Sequence, residues 1–290
     1  MSMARPAIAA VQFAPQLAQV EVNRTHTVEL VEQAADIGAS IVVLPECAIT
    51  GYVFRCRDAL LSIAEPVPGP TTEAWSSVAR RRDIWIIGGI AEREADQVFN
   101  SAVTIGPDGV VGCYRKCHLW GIERDLYAAG SAPFLFDTPW GRIGLGICYD
   151  LWFPELGRAL ALAGADLIVY PANWSSNPRL SSPYDEHGLP LGCHMAIATA
   201  CANELTVLCA DRVGVEEDVP FLGCSIIVGP NGRAIAGPAS KTDAEILLAE
   251  WPDSRRARSV GQSHLQSRRE DLYALGELAR HPGVAAGGRG

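Results

Sequence analysis

Short apolar runs alternate with amphipathic segments along most of the chain, which predicts strands and helices in turn. Residues 41–44 and 143–147 are short, uniformly apolar runs, so they indicate buried strands. Residues 22–35 instead place Val28, Val31 and Ala35 on one helical face. The predicted strands are 6–13, 41–44, 84–90, 102–105, 110–114, 143–147, 167–170, 206–210, 224–228, 233–235 and 245–251; the predicted helices are 22–35, 71–82, 154–163 and 189–203.

This order of elements favours one α/β domain with helices outside and apolar strands inside. Its two halves are similar, and no linker rich in Pro, Gly or Ser divides them. A single sheet and two sheets packed face to face between helix layers both fit the pattern. We expect residues 1–254 to form the domain and residues 255–290 to be a polar extension with a disordered end.

Composition narrows the function classes. The chain has 290 residues, 48% of them hydrophobic, and a net charge of −9, which argues against binding to nucleic acid or anionic membranes. No run approaches the ~20 apolar residues that a membrane-spanning helix needs. The first residues lack the regions of a signal peptide, so we expect a cytoplasmic protein whose nine cysteines stay reduced.

Three reactive side chains follow predicted strands. Glu46, Lys116 and Cys148 each come just after a strand, and residues at the carboxyl ends of strands converge on one crevice in α/β sheets. Each has a structural alternative: a helix-entry acid, a surface lysine and a buried thiol. Together they are complementary, because a thiol with an ordinary pKa of ~8.5 needs a base and a nearby cation. Glu46 would accept the proton and Lys116 would stabilise the anion.

Cys148 in particular lies at a predicted strand-to-helix turn, where the helix amides would favour its thiolate. A papain-like arrangement with His118 or His194 as base remains open, although the sequence shows no orienting partner for His118. Cys113 and Cys117 resemble metal ligands in spacing, but they lack a second cysteine pair, and we predict no metal site.

Three spaced segments resemble the signature blocks of the nitrilase superfamily, in the family's order. They are Leu44-Pro45-Glu46 with Gly51-Tyr52, Tyr114-Arg115-Lys116-Cys117-His118-Leu119, and Gly146-Ile147-Cys148-Tyr149-Asp150 with Phe153-Pro154-Glu155. Residues 169–174 and 221–225 resemble later family segments, so the resemblance covers about residues 6–251. It implies a four-layer α-β-β-α sandwich, a Glu-Lys-Cys active site without metal or organic cofactor, and homodimers or higher homo-oligomers.

The resemblance also assigns a role to Glu123. Family members carry a second glutamate in the loop after the lysine, ahead of a glycine, and Glu123 matches that position. The family's common proline before the glycine is Ala129 here, which could change the loop. The alternative is that Glu123 is an exposed loop acid.

The residues after the nucleophile indicate the substrate class. Family members that act on amides resemble this chain in Cys148-Tyr149-Asp150, whereas nitrile hydrolysers usually show Cys-Trp-Glu. In family members for charged substrates the residue just beyond this Asp is often charged, whereas the next two residues here are apolar. The resemblance therefore implies hydrolysis of a neutral aliphatic or aromatic amide. We expect the substrate to contact five residues: Tyr52, Tyr149, Trp152, Asn173 and Trp174. Hydrolysis of N-carbamoyl compounds or nitriles, and a catalytically silent ligand-binding homologue, remain alternatives.

Overall fold

A computed structural model describes residues 5–176, 182–253 and 263–269. Its strands are β1 (Ala7–Gln12), β2 (Ala39–Val43), β3 (Trp85–Glu94), β4 (Gln97–Gly106), β5 (Gly109–Arg115), β6 (Phe134–Thr138), β7 (Gly141–Leu145), β8 (Leu167–Pro171), β9 (Thr206–Ala210), β10 (Val215–Glu216), β11 (Val219–Pro220), β12 (Ile226–Val228), β13 (Ala234–Ala236) and β14 (Glu245–Glu250). Its helices are α1 (Val20–Asp36), α2 (Arg57–Ile63), α3 (Pro70–Arg82), α4 (Glu123–Leu126), α5 (Pro154–Leu162), α6 (Leu191–Asn203) and a 3₁₀ helix (Cys148–Trp152).

The strands form two six-stranded sheets and a small hairpin. The first sheet has the order β14-β1-β2-β3-β4-β5 and the second the order β13-β12-β9-β8-β7-β6. Parallel strands lie at the centre of each sheet, β1-β2-β3 in one and β7-β8-β9 in the other, and antiparallel strands lie at the edges. The remaining pair, β10 and β11, forms the hairpin.

Two helices cover the outer face of each sheet, which gives the four-layer α-β-β-α sandwich. Helices α1 and α3 pack on the first sheet, and α5 and α6 pack on the second. Alternate residues of β2 show why its run is uniformly apolar: Ile41 and Val43 join the core between the sheets, while Val42 joins the core under α1 and α3. The predicted fold class is confirmed, and of its two possible forms the structure has two sheets.

Several elements differ from the prediction. The pattern missed the short elements α2, α4, β6, β10 and β11, and it started β4 at residue 102 instead of Gln97. The buried face of α1 consists of Thr27, Leu30, Val31 and Ala34 together with Asn23, whereas Val28 and Ala35 lie at its edge. A polar Thr and Asn on the inner face shifted the apparent apolar stripe.

The C-terminal extension falls mostly outside the described residues, and so do its predicted boundary at residue 254 and its disordered end at 281–290. Residues 263–269 are described and contact the domain, because Ser263 donates a hydrogen bond to Glu204 at 2.6 Å. In the described part of the chain no helix is long and apolar enough to cross a membrane.

Candidate active site

The structure brings the three predicted side chains to one place. Glu46 follows β2 and Lys116 follows β5 in the first sheet, while Cys148 follows β7 in the second. Glu46 and Lys116 are fully buried and Cys148 is 8% exposed. The site therefore lies where loops at the ends of both sheets meet, and neither sheet alone could form it.

Lys116 lies between two carboxylates. Its Nζ is 2.7 Å from Glu46 Oε1 and 2.7 Å from Glu123 Oε1. The side-chain amide of Asn100, on β4, donates a 2.7 Å hydrogen bond to the same oxygen of Glu46. Glu46 Oε2 is buried and accepts no hydrogen bond from the described residues. One oxygen of Glu46 is thus fixed by two donors, and the other has no hydrogen-bond partner among the described residues.

Glu123 begins the short helix α4 and is 1% exposed, so it is not an exposed loop acid. Its Oε1 also accepts a 2.5 Å hydrogen bond from the hydroxyl of Tyr52, and its Oε2 accepts one of 2.9 Å from the backbone N–H of Trp120. Ala129, in place of the family's proline, therefore does not remove the glutamate from the site.

Burial and charge act against each other in this cluster. Burial alone would lower the pKa of Lys116, but Glu46 and Glu123 raise it well above its ordinary value. Lys116 therefore stays a cation at neutral pH. Burial raises the pKa of Glu46, and the Lys116 charge only partly offsets that effect. The Glu46 carboxylate therefore takes up a proton more readily than an exposed glutamate does.

Cys148 begins the 3₁₀ helix in a left-handed backbone conformation, with a φ of 43°. Burial raises the pKa of its thiol well above the ordinary value, and the nearby Glu46 charge raises it further. The Lys116 charge and a hydrogen bond from the backbone N–H of Asn173 act in the opposite direction but are weaker. Burial therefore outweighs the groups that favour the thiolate, and α5, whose amides the sequence predicts to act on it, begins only at Pro154.

Asp150 connects the turn that carries Cys148 to the turn that carries Lys116. Its fully buried carboxylate accepts hydrogen bonds from the backbone N–H of Ile147 at 2.8 Å and of His118 at 3.0 Å. The Tyr114 hydroxyl donates to it at 2.8 Å, and His118 Nδ1 lies 2.7 Å from it. The imidazole also stacks on Phe153 with ring centroids 3.6 Å apart.

These contacts are relevant to the two histidines that could instead act as the base for Cys148. His118 does have an orienting partner, Asp150, which the sequence did not reveal because the two residues are 32 positions apart. His194 is on α6 and pairs with Asp185 at 2.8 Å. The charges that act on the Cys148 thiol, however, come from Glu46, Lys116 and Glu123.

In the described part of the chain, no group of three or more His, Cys, Asp or Glu side chains is arranged to hold a metal ion. Cys113 contacts Glu92 at 3.5 Å, whereas Cys117 contacts the backbone oxygens of Arg115 and Ala132, both at 3.7 Å. The two thiols therefore have separate partners.

An open pocket leads to Cys148 and encloses about 650 Å³ including its mouth. All five predicted substrate-contacting residues line it: Tyr52, Tyr149, Trp152, Asn173 and Trp174. Six further residues line it: Trp120, Ser175, Pro183, Leu191, Gly192 and Leu222. The sequence predicts that the segment 174–191, which includes Ser175, Pro183 and Leu191, shapes the pocket, but it does not single out Trp120, Gly192 or Leu222. Trp120 and Leu222 could have been found, since Trp120 directly follows the lysine block and Leu222 lies in the family-like segment 221–225. Gly192 is in the first turn of α6, where no motif marks it.

The described lining residues include no charged side chain. Aromatic rings form much of the wall, with Tyr149 between Trp120 and Trp152 at centroid distances of 4.7 and 6.1 Å. Asn173 is 3% exposed, and its side-chain amide donates a 2.9 Å hydrogen bond to the backbone oxygen of Glu46. Polar groups are thus concentrated at the floor around Cys148, and apolar surface forms the walls.

Comparison with known proteins agrees with this fold and shows the family. The model of the carbon-nitrogen hydrolase family matches residues 7–258. A nitrilase from Pyrococcus abyssi is 38% identical, over 84% of this chain and 88% of its own length. The omega-amidase of Homo sapiens is 39% identical, over 87% of this chain and 91% of its own. The crystal structure of a carbon-nitrogen hydrolase from Helicobacter pylori superposes with a TM-score of 0.82, at 27% identity and over 92% and 96% of the two chains.

The chain belongs to the carbon-nitrogen hydrolase family, which is the nitrilase superfamily that its motifs resemble. It is accordingly a hydrolase of the kind that cleaves carbon–nitrogen bonds in non-peptide amides and related compounds.

Proposed function

We propose that the protein is an amidase that hydrolyses a small, neutral aliphatic or aromatic amide to a carboxylic acid and ammonia through a thioester on Cys148. The observation that carries this proposal is the open oxygen of a buried Glu46 beside a buried thiol and a buried ammonium, at the floor of an uncharged pocket.

In the first half-reaction, Glu46 removes the thiol proton and the sulfur attacks the amide carbonyl carbon. The carbonyl electron pair moves to oxygen, where the charge is stabilised by Lys116 and by the backbone N–H of Tyr149. Lys116 has three ammonium hydrogens, of which two go to Glu46 and Glu123, so the third can face the oxyanion. As the tetrahedral intermediate collapses, the C–N bond breaks and Glu46 returns its proton to the departing ammonia.

In the second half-reaction, Glu46 takes a proton from water and the resulting hydroxide attacks the thioester carbon. The C–S bond breaks, the acid leaves, and the sulfur regains a proton from Glu46. The raised pKa of Glu46 suits this cycle, because it makes the carboxylate a stronger base toward the thiol and toward water. Glu123 holds Lys116 through its 2.7 Å contact with Nζ.

The pocket supports a neutral acyl group. A substrate carboxylate or ammonium would lose its hydration among the Tyr, Trp and Leu side chains of the described lining without a counter-charge there. The relatives named nitrilase and omega-amidase differ from each other in substrate, so they support the carbon–nitrogen hydrolase class more strongly than either activity. The chain's likeness to the Pyrococcus abyssi nitrilase favours nitrile hydrolysis as the second candidate.

Two further proposals accompany the activity. The likeness to the family supports a homodimer or higher homo-oligomer. Residence in the cytoplasm suits a nucleophile that must stay reduced, and all nine cysteines, which lie in the described residues, are free thiols.

A matched substrate panel tests the activity. Ammonia release is measured for butyramide, butyronitrile and N-carbamoyl-propylamine, and for the charged analogue succinamate. We expect kcat/KM for the amide to exceed that for the nitrile about 10-fold or more, and to exceed that for succinamate about 100-fold. Cys148→Ala should release no ammonia from any of them while remaining folded. A preference for the nitrile would make the protein a nitrilase, and full activity of Cys148→Ala would contradict the mechanism.

A further inference from the structure

The Tyr52 loop rests on a buried carboxylate from a distant part of the chain. Glu216, the last residue of β10, is 5% exposed and comes 164 residues after Tyr52. Its Oε1 accepts hydrogen bonds from two successive backbone N–H groups, that of Tyr52 at 2.6 Å and that of Val53. Two donors on one oxygen fix the direction of this loop more strongly than a single contact would.

Arg212 holds the Glu216 carboxylate in place. Its Nη1 donates to Glu216 Oε2 at 2.5 Å and its Nη2 to the backbone oxygen of Pro15 at 3.1 Å. The guanidinium lies 4.1 Å from the centroid of the Phe221 ring and is 1% exposed. A buried ion pair of this kind is weak evidence for stability, because desolvation of both charges offsets their attraction. Its geometry, in contrast, is rigid.

The loop is packed against this pair without spare room. Gly51 has a φ of 75°, and a Cβ there would lie 2.7 Å from Glu216 Oε2 and 2.8 Å from the Cα of Leu17. The Phe221 ring meets the Tyr52 ring edge-on, with centroids 6.0 Å apart. Both the main chain and the side chain of Tyr52 are therefore fixed by the Arg212–Glu216–Phe221 group.

Tyr52 connects the fixed loop to the charged groups of the site through its hydroxyl. Its hydroxyl donates to Glu123 Oε1 at 2.5 Å, the same oxygen that Lys116 Nζ approaches at 2.7 Å. Burial raises the pKa of Tyr52 well above its ordinary value, so the hydroxyl keeps its proton and remains a donor. A shift of the loop would remove this donor from Glu123 and change the pull of Glu123 on the ammonium.

We propose that Glu216, held by Arg212, is a positioning residue of the active site that acts through the backbone of Tyr52 to keep the Tyr52 hydroxyl on Glu123. The role rests on the proposed amidase function, in which Lys116 binds the oxyanion. Glu216 does not touch the reacting atoms, and it lies outside every motif that identifies the family in this chain.

A double-mutant cycle between Glu216→Gln and Tyr52→Phe tests the proposal, with kcat/KM measured where circular dichroism shows every variant folded. We expect each single change to lower kcat/KM about 10-fold or more, since small displacements at an active site have effects of this size. In the Tyr52→Phe background, Glu216→Gln should change kcat/KM less than about 2-fold, because the hydroxyl it positions is already gone. Glu217→Gln, the exposed neighbour with the same charge change, is the control and should match the wild type.

An equal loss from Glu216→Gln in both backgrounds would overturn the proposal, because a purely structural effect does not need the Tyr52 hydroxyl. Wild-type kcat/KM in Glu216→Gln would overturn it as well. Glu216→Gln leaves Arg212 buried without its carboxylate partner, which could prevent folding. In that case the pair substitution Arg212→Gln/Glu216→Gln, which removes both charges together, replaces Glu216→Gln in the cycle.

Alkylation of Cys148 by iodoacetamide separates failure of this proposal from failure of the amidase function. It needs no substrate, yet it depends on the charges of Lys116, Glu46 and Glu123 around the thiol. We expect Tyr52→Phe and Glu216→Gln to slow alkylation to the same degree and the double variant to be no slower than Tyr52→Phe. Additive slowing would overturn the positioning role even in a protein that hydrolyses no amide.

Discussion

At the scale of single residues, protonation decides how the site works. The motifs identify Glu46, Lys116 and Cys148. The direction in which the pKa of each side chain is shifted, however, depends on burial and on neighbours that come from other segments. Burial raises the pKa of the Cys148 thiol, so in the proposed mechanism the nucleophile starts as a neutral thiol and depends on its base. A sequence gives the ordinary pKa of a thiol and not the cavity around it.

The raised pKa of Glu46 predicts the acid side of the pH profile. Glu46 acts as a base only when it is deprotonated, so activity is lost as the pH falls through its pKa, which burial raises above the ordinary 4.5. We expect kcat/KM for a neutral amide to decline with a midpoint above that value. The measurement is kcat/KM against pH with a substrate that does not titrate. A midpoint at or below 4.5 would show that another group is the base.

At the scale of secondary-structure elements, β3 passes directly behind the base. A Cβ on Gly89 would lie 2.5 Å from the backbone nitrogen of Cys47 and 2.6 Å from the Cα of Glu46. The next residue toward the N-terminus, Gly88, faces the other side of the sheet, where a Cβ would meet the ring of the fully buried Trp75. Neighbouring glycines of one strand thus support the site and the outer core separately.

This arrangement predicts that two similar substitutions affect different properties, one the activity and the other the stability. Gly89→Ala should displace Glu46 and lower kcat/KM about 100-fold, the cost expected when a reacting group is moved by about 1 Å. Gly88→Ala should lower the free energy of unfolding by about 1–3 kcal/mol, since it overpacks the core against Trp75, with kcat/KM near that of the wild type. Urea unfolding and steady-state kinetics on both variants decide; similar kcat/KM losses in the two would refute the distinction.

The same scale shows how far the sequence predicts the structure. Uniformly apolar runs such as residues 143–147 located the central strands, and the polar residues that follow them located the site. The contacts that hold Asp150 to His118 or Glu216 to the Tyr52 loop join segments 32 and 164 residues apart, and no local pattern records them. Short edge elements such as β6 were missed for a related reason, because their partners rather than their own pattern define them.

At the scale of the whole molecule, the active site is a product of the two-sheet sandwich. The first sheet supplies Glu46 and Lys116, and the second supplies Cys148 and Asn173. The hydrophobic core between the sheets fixes the position of these two groups of residues relative to each other. The motifs indicate the class of reaction in advance, whereas part of the pocket lining, such as Pro183 and Leu191, comes from segments for which the sequence offers no rule.

The thioester on Cys148 is the central claim, and trapping it is the most direct measurement. The wild-type protein is mixed with a neutral amide, quenched in acid within the first turnovers, and analysed by mass spectrometry intact and after digestion. We predict a mass increase equal to the acyl group, located on the peptide that contains Cys148 and absent from Cys148→Ala. Turnover with no acyl group on that peptide, or with the acyl group on another residue, would contradict the account.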